Sequence, residues 1–517
     1  MKVHKRVLTL VLALVMLLAL AACGGESGGE ETGGPETGEV KDTITVAVNA
    51  EPSVLDPPNQ QSATAGMVNV QIFEGLVRLD NETGEIVPCL AESWEQIDDY
   101  TIRFHLRDDV YFHDGSKLTA EDVKFTFDRG AVAPMKAMIF EPFDTSKTKI
   151  IDENTIELGT KDVFPPFLTY LTNNATLIVS KNAVEAAGSD EVFGRNPVGT
   201  GAYKFVEWIA GDRIVLERNE EYWGELPEFK NLVIRTITDD TTRAMALENG
   251  EIDIAYKLAP AQMEMLAGSE TSDIVSFPGY ATEYCALNEA YEPLSDVRVR
   301  QAMRYALDLD TMTEIAFGNG VVADGPVMPN ISCYVPPAEG QEYGQDIEKA
   351  KALMKEAGYE NGFDLTIAVN ENIQRSTMAE MLANSWKEIG INATVQTIEF
   401  STLVEDMYAG NTQAFIMGFT AGGDDGSFFG DMFMTDNDSN WIAYSNPELD
   451  ELFELAAVEM DPEVRNGYYA EAQYILREDM PWISLRFTDN IFGMSKELTG
   501  LDPDPEFYCE FRFVKSR

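Results

Sequence analysis

Residues 279–487 alternate between the apolar patterns of helices and strands, and this order limits the possible folds more than any other feature of the sequence. Residues 363–369 and 391–398 have the pattern of strands, and residues 378–389 have that of a helix stopped by Gly390. Two strands joined by a helix predict a βαβ crossover within a mixed sheet. The chain has 517 residues, which is more than one hydrophobic core of roughly 250–300 residues accommodates. We therefore expect an α/β protein with two or more lobes.

Side chains that can cap helices mark further helix starts in the same half of the chain. These side chains are Ser295, Asp346, Asn446 and Asp461. The helix after Ser295 is expected to end near Gly318, and the helix after Asp346 near Gly358. The last strands are expected at residues 483–487 and 508–514.

The first half of the chain carries signals of strands and turns. Residues 100–112 alternate as a half-buried strand, and Thr119 is expected to cap a helix together with an acid three residues later. Residues 196–224 contain Gly199 and Gly201 in a turn that is expected to use the backbone freedom of glycine. Two β-rich runs follow this turn and predict a hairpin.

Three runs in this half of the chain carry a family resemblance, namely residues 90–129, residues 196–224 and the sequence GEIDIA at residues 250–255. They resemble the bacterial extracellular solute-binding proteins of family 5, which supply dipeptides, oligopeptides, nickel and related solutes to ABC importers. The resemblance covers nearly all of residues 44–514. It implies the two-lobed α/β fold of periplasmic binding proteins, of a class II-like type.

The resemblance also implies how the chain is divided. Lobe I is expected at residues 42–278, with an inserted subdomain at about residues 91–195. Lobe II is expected at residues 279–487, and residues 488–517 are expected to return to lobe I. In such proteins the two lobes rotate about hinge strands and close on the solute.

Residues 1–22 have the anatomy of an export signal, with basic residues, an apolar run and then small residues. The segment ending at Cys23 resembles a bacterial lipobox, in which the cysteine is acylated; an ordinary cleaved signal with an incidental cysteine is the alternative. Residues 24–41 have almost no apolar side chain and are expected to form a flexible tether. The sequence therefore predicts a lipid-anchored protein outside the cytoplasm, on the cell membrane or in the periplasm.

The composition argues against several classes of partner and of chemistry. The formal net charge of -50 disfavours nucleic acid and anionic membrane surfaces as partners. Three histidines and no HExxH, GxSxG or phosphate-loop motif leave no catalytic constellation, so neither an enzyme nor a cofactor is expected. No cysteine spacing suggests a metal site. The oxidation state of the four remaining cysteines stays open: Cys89, Cys285, Cys333 and Cys509.

The family resemblance also implies where the ligand contacts the protein. Peptide-binding members place an amine-binding aspartate shortly after a Gly-Trp pair, and Gly418-Phe419 stands at that position here. Gly422 or a one-residue gap stands in the place of the aspartate, so Asp424 or Asp425 is the expected substitute, unless the solute is not a peptide. The full set of candidate ligand-binding residues is Glu51, Tyr280, Arg375, Phe419, Asp424 and Asp425. Arg375 lies near the family's carboxylate-binding arginine, and a carboxylate suits a guanidinium bidentately.

The function that the resemblance implies is capture of a di- or oligopeptide by a monomeric binding protein. The solute would then pass to an ABC permease driven by its ATPase, and the membrane would be contacted only through the lipid anchor. The alternatives are the same transport role for a nickel complex, a sugar or another small molecule, and a receptor that docks on a sensor.

Overall fold

The computed structural model describes residues 41–60, 62–133, 137–318, 320–506 and 508–517. The predicted export signal, Cys23 and nearly all of the predicted tether lie outside the described residues. The strands of the described part are as follows: β1 Thr43–Val48, β2 Val77–Leu79, β3 Ile86–Pro88, β4 Ala91–Asp98, β5 Thr101–Leu106, β6 Lys149–Asp152, β7 Thr155–Gly159, β8 Tyr203–Ile209, β9 Arg213–Arg218, β10 Asn231–Thr236, β11 Ile254–Tyr256, β12 Ser272–Leu287, β13 Val321–Val322, β14 Asp364–Val369, β15 Asn392–Thr397, β16 Ala414–Thr420, β17 Trp482–Ser495, β18 Leu498–Thr499 and β19 Lys515–Ser516.

Helices connect most of these strands. Those in the described residues are as follows: α1 Ala63–Ile72, α2 Ala120–Gly130, α3 Ala137–Phe140, α4 Phe167–Tyr170, α5 Lys181–Ala187, α6 Asp190–Phe193, α7 Asp240–Glu248, α8 Pro260–Leu266, α9 Glu292–Ser295, α10 Val297–Tyr305, α11 Leu309–Phe317, α12 Ile347–Glu356, α13 Ile373–Trp386, α14 Phe400–Tyr408, α15 Ser427–Phe433, α16 Pro447–Val458 and α17 Pro462–Asp479. None of these helices combines the length and the apolar character needed to cross a membrane.

One mixed sheet dominates the part of the chain that the structure describes. Its order is β15-β14-β16-β12-β17-β11-β1-β10-β9-β8, and β13 pairs with β17 beside this path. A separate antiparallel sheet, β4-β5-β7-β6, lies within the predicted inserted subdomain. The predicted βαβ crossover is confirmed, because β14 and β15 are parallel and α13 joins them. The predicted hairpin of β8 and β9 is confirmed as well.

The two longest strands, β12 and β17, pair with each other along most of their length. Their register shifts between Pro278 and Ala281. On one side of this shift β17 pairs with β11 of the predicted lobe I, and on the other side β12 pairs with β16 of the predicted lobe II. The predicted boundary at residues 278–279 therefore falls at an irregularity shared by the two central strands.

One face of α13 is apolar and forms part of a hydrophobic core. Met378, Leu382 and Trp386 lie on one face of the helix and are completely buried. The indole N–H of Trp386 donates to the carbonyl of Met303 at 2.9 Å, so burial leaves no polar atom of the ring unpaired. The helix begins at Ile373, earlier than predicted, because the Asn372 side chain accepts the N–H of Arg375 and caps it.

Several predicted caps are confirmed. Asp346, Asn446 and Asp461 each accept a backbone N–H in the first turn of the helix that follows. The Thr119 backbone N–H donates to the carboxylate of Asp122 at 3.0 Å, as a capping box requires.

Three predictions about local structure are wrong. Ser295 does not cap a helix that runs to Gly318, because Asp296 caps α10 and Asp308 caps a second helix, α11, before Gly318 ends it. Residues 508–514 form no strand of the main sheet. Instead, the side-chain amide of Gln71 donates a hydrogen bond to the carbonyl of Cys509 and accepts one from the N–H of Phe511. These two hydrogen bonds replace the bonds that a neighbouring strand would make.

The third wrong prediction concerns the glycine turn, in which neither Gly199 nor Gly201 has a positive φ. A Cβ atom on Gly199 would lie 2.0 Å from the carbonyl oxygen of Ile72, and one on Gly201 would lie 2.5 Å from that of Gln71. Glycine is therefore required for close approach to the end of α1, and not for backbone freedom.

Candidate functional site

A cavity of about 160 Å³ lies between segments of both predicted lobes. Tyr280, Gly423 and Asp424 line it from the predicted lobe II, and Phe73 and Tyr508 are among the residues that line it from the predicted lobe I. Small-molecule sites are usually concave, combine apolar walls with a few polar groups, and lie between domains. This cavity is therefore the candidate ligand site.

Tyr280 is held in the cavity wall by its own backbone. Its N–H donates to the carbonyl of Pro505 at 2.9 Å, and its carbonyl accepts the N–H of Ala421 at 2.8 Å. The side chain is only 3% exposed. Burial, followed by the negative charge of Asp424, raises the pKa of Tyr280, so its hydroxyl stays protonated at neutral pH.

The two candidate aspartates, Asp424 and Asp425, lie in different environments. Asp424 is half-buried, faces the cavity, and accepts the backbone N–H of Ser332. Burial raises its pKa, and the hydrogen bond from Ser332 opposes that rise. Asp425 is 1% exposed, forms an ion pair with Arg465, and accepts the N–H of Ser427 at 2.9 Å. Asp425 therefore fixes the loop, and Asp424 is the carboxylate presented to the cavity.

Arg375 is already paired within the protein. Its Nε lies 2.9 Å from Oε2 of Glu283, and its Nη2 lies 3.1 Å from Oε1 of the same carboxylate. Its Nη1 donates to the side-chain oxygen of Asn370 at 3.1 Å and contacts the sulfur of Met417. The guanidinium thus holds a bidentate carboxylate that belongs to β12, and Arg375 is not among the residues lining the cavity.

Phe419 and Glu51 are also not among the cavity-lining residues. The ring of Phe419 packs edge-on against Phe429, with 5.4 Å between ring centroids. The carboxylate of Glu51 accepts the indole N–H of Trp208 at 2.8 Å and the N–H of Gly211 at 3.0 Å. Glu51 therefore ties its loop to the β8–β9 hairpin, and of the six candidates the cavity brings together Tyr280 and Asp424.

The sequence reasoning missed a group of acidic residues near the C-terminus that line the same cavity, namely Asp502, Asp504, Glu506 and Glu510. Asp504 accepts the N–H groups of Glu506 and Tyr508, each at 2.9 Å. Burial, followed by the charge of Glu506, raises the pKa of Asp504. The acidic sequence DPDPEFYCE at residues 502–510 is a visible signal, but only the fold places it beside Asp424.

Glu74 lines the cavity as well, but its hydrogen bonds are filled by the protein. Its carboxylate accepts the hydroxyls of Tyr222 at 2.7 Å and Thr200 at 2.8 Å, and the indole N–H of Trp223 at 2.9 Å. Burial raises its pKa, and the nearby charge of Arg512 acts in the opposite direction. Glu74 therefore stabilises the wall and is a poor candidate for a ligand contact.

Two contacts join the predicted lobes across the edge of the cavity. The rings of Tyr170 and Phe428 are stacked, with 5.5 Å between centroids and 6° between planes. The side-chain amide of Asn173 donates to the carbonyl of Gly422 at 3.4 Å. The loop that carries Asp424 is therefore held against the predicted inserted subdomain.

In the described part of the chain, no group of three or more histidine, cysteine, aspartate or glutamate side chains is arranged to hold a metal ion. Cys89, Cys285, Cys333 and Cys509 are buried free thiols. Burial raises the pKa of Cys285 to about 12, so its thiol is unreactive at neutral pH. The polar lining of the cavity thus combines carboxylates and hydroxyls with the side chains of Arg78, Asn81 and Arg512.

Comparison with known families decides the class of protein. Residues 85–441 match the bacterial extracellular solute-binding proteins, family 5 Middle. The chain belongs to this family. Its members are solute-binding proteins and not enzymes, and their description places them outside the cytoplasm. The family predicted from residues 90–129 and 196–224 is confirmed.

Curated relatives of this family 5 chain span nearly its whole length. The dipeptide-binding protein of Escherichia coli is 30% identical over 485 residues, which cover 86% of this chain and 90% of the relative. A glutathione-binding protein, GsiB, of Salmonella paratyphi A is 29% identical, with 90% and 93% covered. Heme-binding protein A of Haemophilus influenzae is 30% identical, with 85% and 86% covered.

Solved structures confirm the predicted two-lobed periplasmic-binding-protein fold. HbpA2 from Haemophilus parasuis superposes with a TM-score of 0.85 at 24% identity, covering 92% of this chain and 100% of that one. The unliganded open form of the murein tripeptide-binding protein MppA superposes with a TM-score of 0.82 at 24% identity, covering 92% of this chain and 97% of that one. DppA from Helicobacter pylori in complex with the peptide STSA superposes with a TM-score of 0.74 at 25% identity, covering 92% of this chain and 98% of that one.

Proposed function

We propose that this family 5 protein captures peptides in the cavity between its lobes and delivers them to an ABC permease. The dipeptide-binding relative and the peptide-bound DppA structure support a peptide ligand. The observation that carries the proposal is the position of Asp424, a half-buried carboxylate in the cavity wall. A buried ammonium group needs a carboxylate partner, and the amino terminus of a peptide supplies such a group.

In this proposal Asp424 receives the peptide amine, and Asp425 does not. The carboxylate of Asp425 is already neutralised by Arg465, and moving it would leave a buried cation without a partner. Asp502, Asp504 and Glu506 line the same cavity and add negative potential to it. Arg78 and Arg512 line it as well, and Arg512 is paired with Glu510. Arg375 is not assigned to the peptide carboxylate, because its Nε and Nη2 donate to Glu283 and its Nη1 donates to Asn370.

A ligand screen by thermal unfolding and calorimetry tests the proposal. The purified protein is titrated with dipeptides, tetrapeptides, glutathione and haem, and bound ligand raises the unfolding temperature by mass action. We expect peptides to bind, and Asp424→Asn to weaken their affinity by about 10- to 100-fold, which corresponds to about 1.5–3 kcal/mol for a hydrogen bond to a charged group.

Asp128→Asn is the matched control, because Asp128 is an exposed aspartate on α2 that pairs with Lys124. Peptide affinity of the wild type should also fall as the pH drops through the raised pKa of Asp424, since a protonated carboxyl no longer attracts the ammonium. Equal peptide affinity of Asp424→Asn and wild type would refute the anchor. Binding of haem or glutathione without binding of any peptide would refute the peptide class and leave the transport role.

We also propose that residues 1–22 are a lipoprotein signal, that Cys23 carries the lipid, and that residues 24–41 tether the lobes outside the cytoplasm. The proposed lobe I comprises residues 42–278 and 488–517, and the proposed lobe II comprises residues 279–487. β12 and β17 are then the hinge. Metabolic labelling with a fatty acid should mark the wild type and leave Cys23→Ser unlabelled; labelling of both would refute the anchor.

A further inference from the structure

A second cavity of about 220 Å³ lies within the proposed lobe II. Its walls come from the ends of α10 and α17, the start of β17, and the segments after β13 and before α12. None of its lining residues lines the cavity between the lobes. This lobe II cavity is therefore separate from the proposed peptide site.

Arg304, in the wall of the lobe II cavity, is a buried cation that forms no salt bridge in the described residues, although the charge of Asp310 favours its protonated form. Its side chain is 8% exposed, and its Nη2 donates to the carbonyl of Tyr343 at 2.9 Å. Its Nη1 has no hydrogen-bond partner in the described part of the chain. Burial lowers its pKa to about 10, which still leaves the guanidinium charged at neutral pH.

Two further donors without partners belong to the same wall. Arg477 is 3% exposed, and its Nε and Nη2 donate to the carbonyls of Asp324 and Val335, whereas its Nη1 has no partner among the described residues. Trp482 is 5% exposed, and its indole N–H is also unpaired. Buried polar groups are normally hydrogen-bonded, so three such donors around one cavity require a common explanation.

The acidic residues of this cavity do not supply the missing partner. Asp324 is one-third exposed, lies 3.6 Å from Nη2 of Arg477, and accepts the hydroxyl of Tyr334 at 2.6 Å. Glu342 is exposed and accepts the N–H of Gly340 at 2.9 Å. Glu342 therefore lies toward solvent, whereas Asp324 is ion-paired with Arg477 and keeps a buried Oδ1 without a hydrogen bond among the described residues. Neither carboxylate forms a salt bridge with Arg304 in the described residues.

We infer that the lobe II cavity binds a small oxyanion, a carboxylate or a phosphate, through Arg304, Arg477 and Trp482. Leaving a charged group buried without a partner is costly, and an arginine cannot avoid that cost by losing its proton. Planar guanidinium groups bind carboxylate and phosphate oxygens with two parallel hydrogen bonds. An oxyanion would thus satisfy the three unpaired donors together.

Calorimetric titration of the purified protein with inorganic phosphate, and separately with succinate, tests this inference at constant ionic strength set by sodium chloride. We expect one site per chain for at least one of the two anions, and the two titrations distinguish phosphate from carboxylate. Arg304→Met should weaken that binding at least tenfold. Arg298→Met is the matched control, since Arg298 is an exposed arginine on the same helix that pairs with Asp296.

A nuclear magnetic resonance experiment keeps the inference testable if Arg304→Met fails to fold. The chain has six tryptophans, and the indole N–H signal of Trp482 is assigned as the one lost in Trp482→Phe. The bound anion should shift this signal in the wild type and in Asp424→Asn. The absence of saturable binding by both anions, an unmoved Trp482 signal, or unchanged affinity in a folded Arg304→Met would each overturn the inference.

Discussion

Charged side chains of both signs line the interlobe cavity and the lobe II cavity. The buried acids of the first and the buried arginines of the second differ in how the protein accommodates them. Around the interlobe cavity, Glu74 and Asp504 accept hydrogen bonds from the protein, and burial raises the pKa of both. Around the lobe II cavity, Arg304 and Arg477 keep unpaired N–H groups. A carboxylate can respond to burial by taking up a proton, whereas a guanidinium stays charged.

This difference teaches that an unpaired buried arginine is a stronger pointer to a ligand than a buried acid. A buried carboxyl group in a cavity wall can take up a proton, so leaving the cavity without a ligand costs little free energy. An arginine that lacks a counter-ion keeps its desolvation penalty until an anion arrives. The number of acidic residues around the interlobe cavity is thus less informative than the geometry of one of them, Asp424.

The largest expected effect comes from breaking a charge pair that the protein has completed. Asp425→Ala should lower the free energy of unfolding by about 3–5 kcal/mol, because it leaves Arg465 buried without its partner. Arg304→Met should cost far less in anion-free buffer, because Arg304 forms no ion pair within the described part of the chain. Urea unfolding of both variants measures the two losses in the free energy of unfolding. Equal losses would contradict the view that Asp425 has a charge partner and that Arg304 lacks one in the described residues.

A smaller effect is expected from pH, through a half-buried histidine that contacts the glycine turn at residues 199–201. His113 donates to the carbonyl of Gly201 at 2.9 Å, and burial lowers its pKa from 6.5 to about 4. The unfolded chain therefore binds more protons between these pH values, and stability is lost as the pH falls from 6.5 to 4. The expected loss is about 3 kcal/mol, since one pKa unit corresponds to about 1.4 kcal/mol.

Unfolding of His113→Gln measured across this pH range checks the assignment. The variant should be less stable than wild type at pH 7 and should lose less stability on acidification. His105→Gln, at a more exposed histidine, serves as the control for the loss of an imidazole side chain. An unchanged slope in His113→Gln would assign the pH response to other groups, such as the acids of the cavity wall.

The smallest expected effect tests the contact that closes the edge of the interlobe cavity. Tyr170→Ala removes the stack with Phe428 and should weaken ligand binding by about fivefold, equivalent to about 1 kcal/mol for an aromatic pair. The affinity of the lobe II cavity for its anion should not change. Equal weakening at both cavities would indicate a general loss of structure instead of a local effect on lobe contact.

The parts of the fold set by neighbouring residues could be predicted from the sequence. The helix stop at Gly390 and the caps at Asp346 and Asp461 depend on groups a few positions apart, and they were found. The segment at residues 508–514 was mistaken for a strand because its backbone is satisfied by Gln71, more than 400 positions earlier in the chain. No local pattern carries that information.

The candidate site shows the same limit. Sequence analysis could not choose between Asp424 and Asp425, because the choice depends on Arg465, which α17 brings to only one of them. The pairing of Arg375 with Glu283 likewise joins residues on different elements. The family resemblance pointed to a loop of which Gly423 and Asp424 line the cavity, and only the packing around that loop shows which of the two aspartates faces it.

The position of β17 in the main sheet has a consequence for the order in which the protein is made. In the described residues, β17 lies between β12 and β11 and joins the two halves of the sheet, although it is synthesised after all the other strands of that sheet. The acidic wall of the interlobe cavity follows later still, at residues 502–510. A nascent chain on the ribosome therefore cannot assemble the cavity before residues 502–510 have been synthesised, and competence to hold a solute arises only after that point.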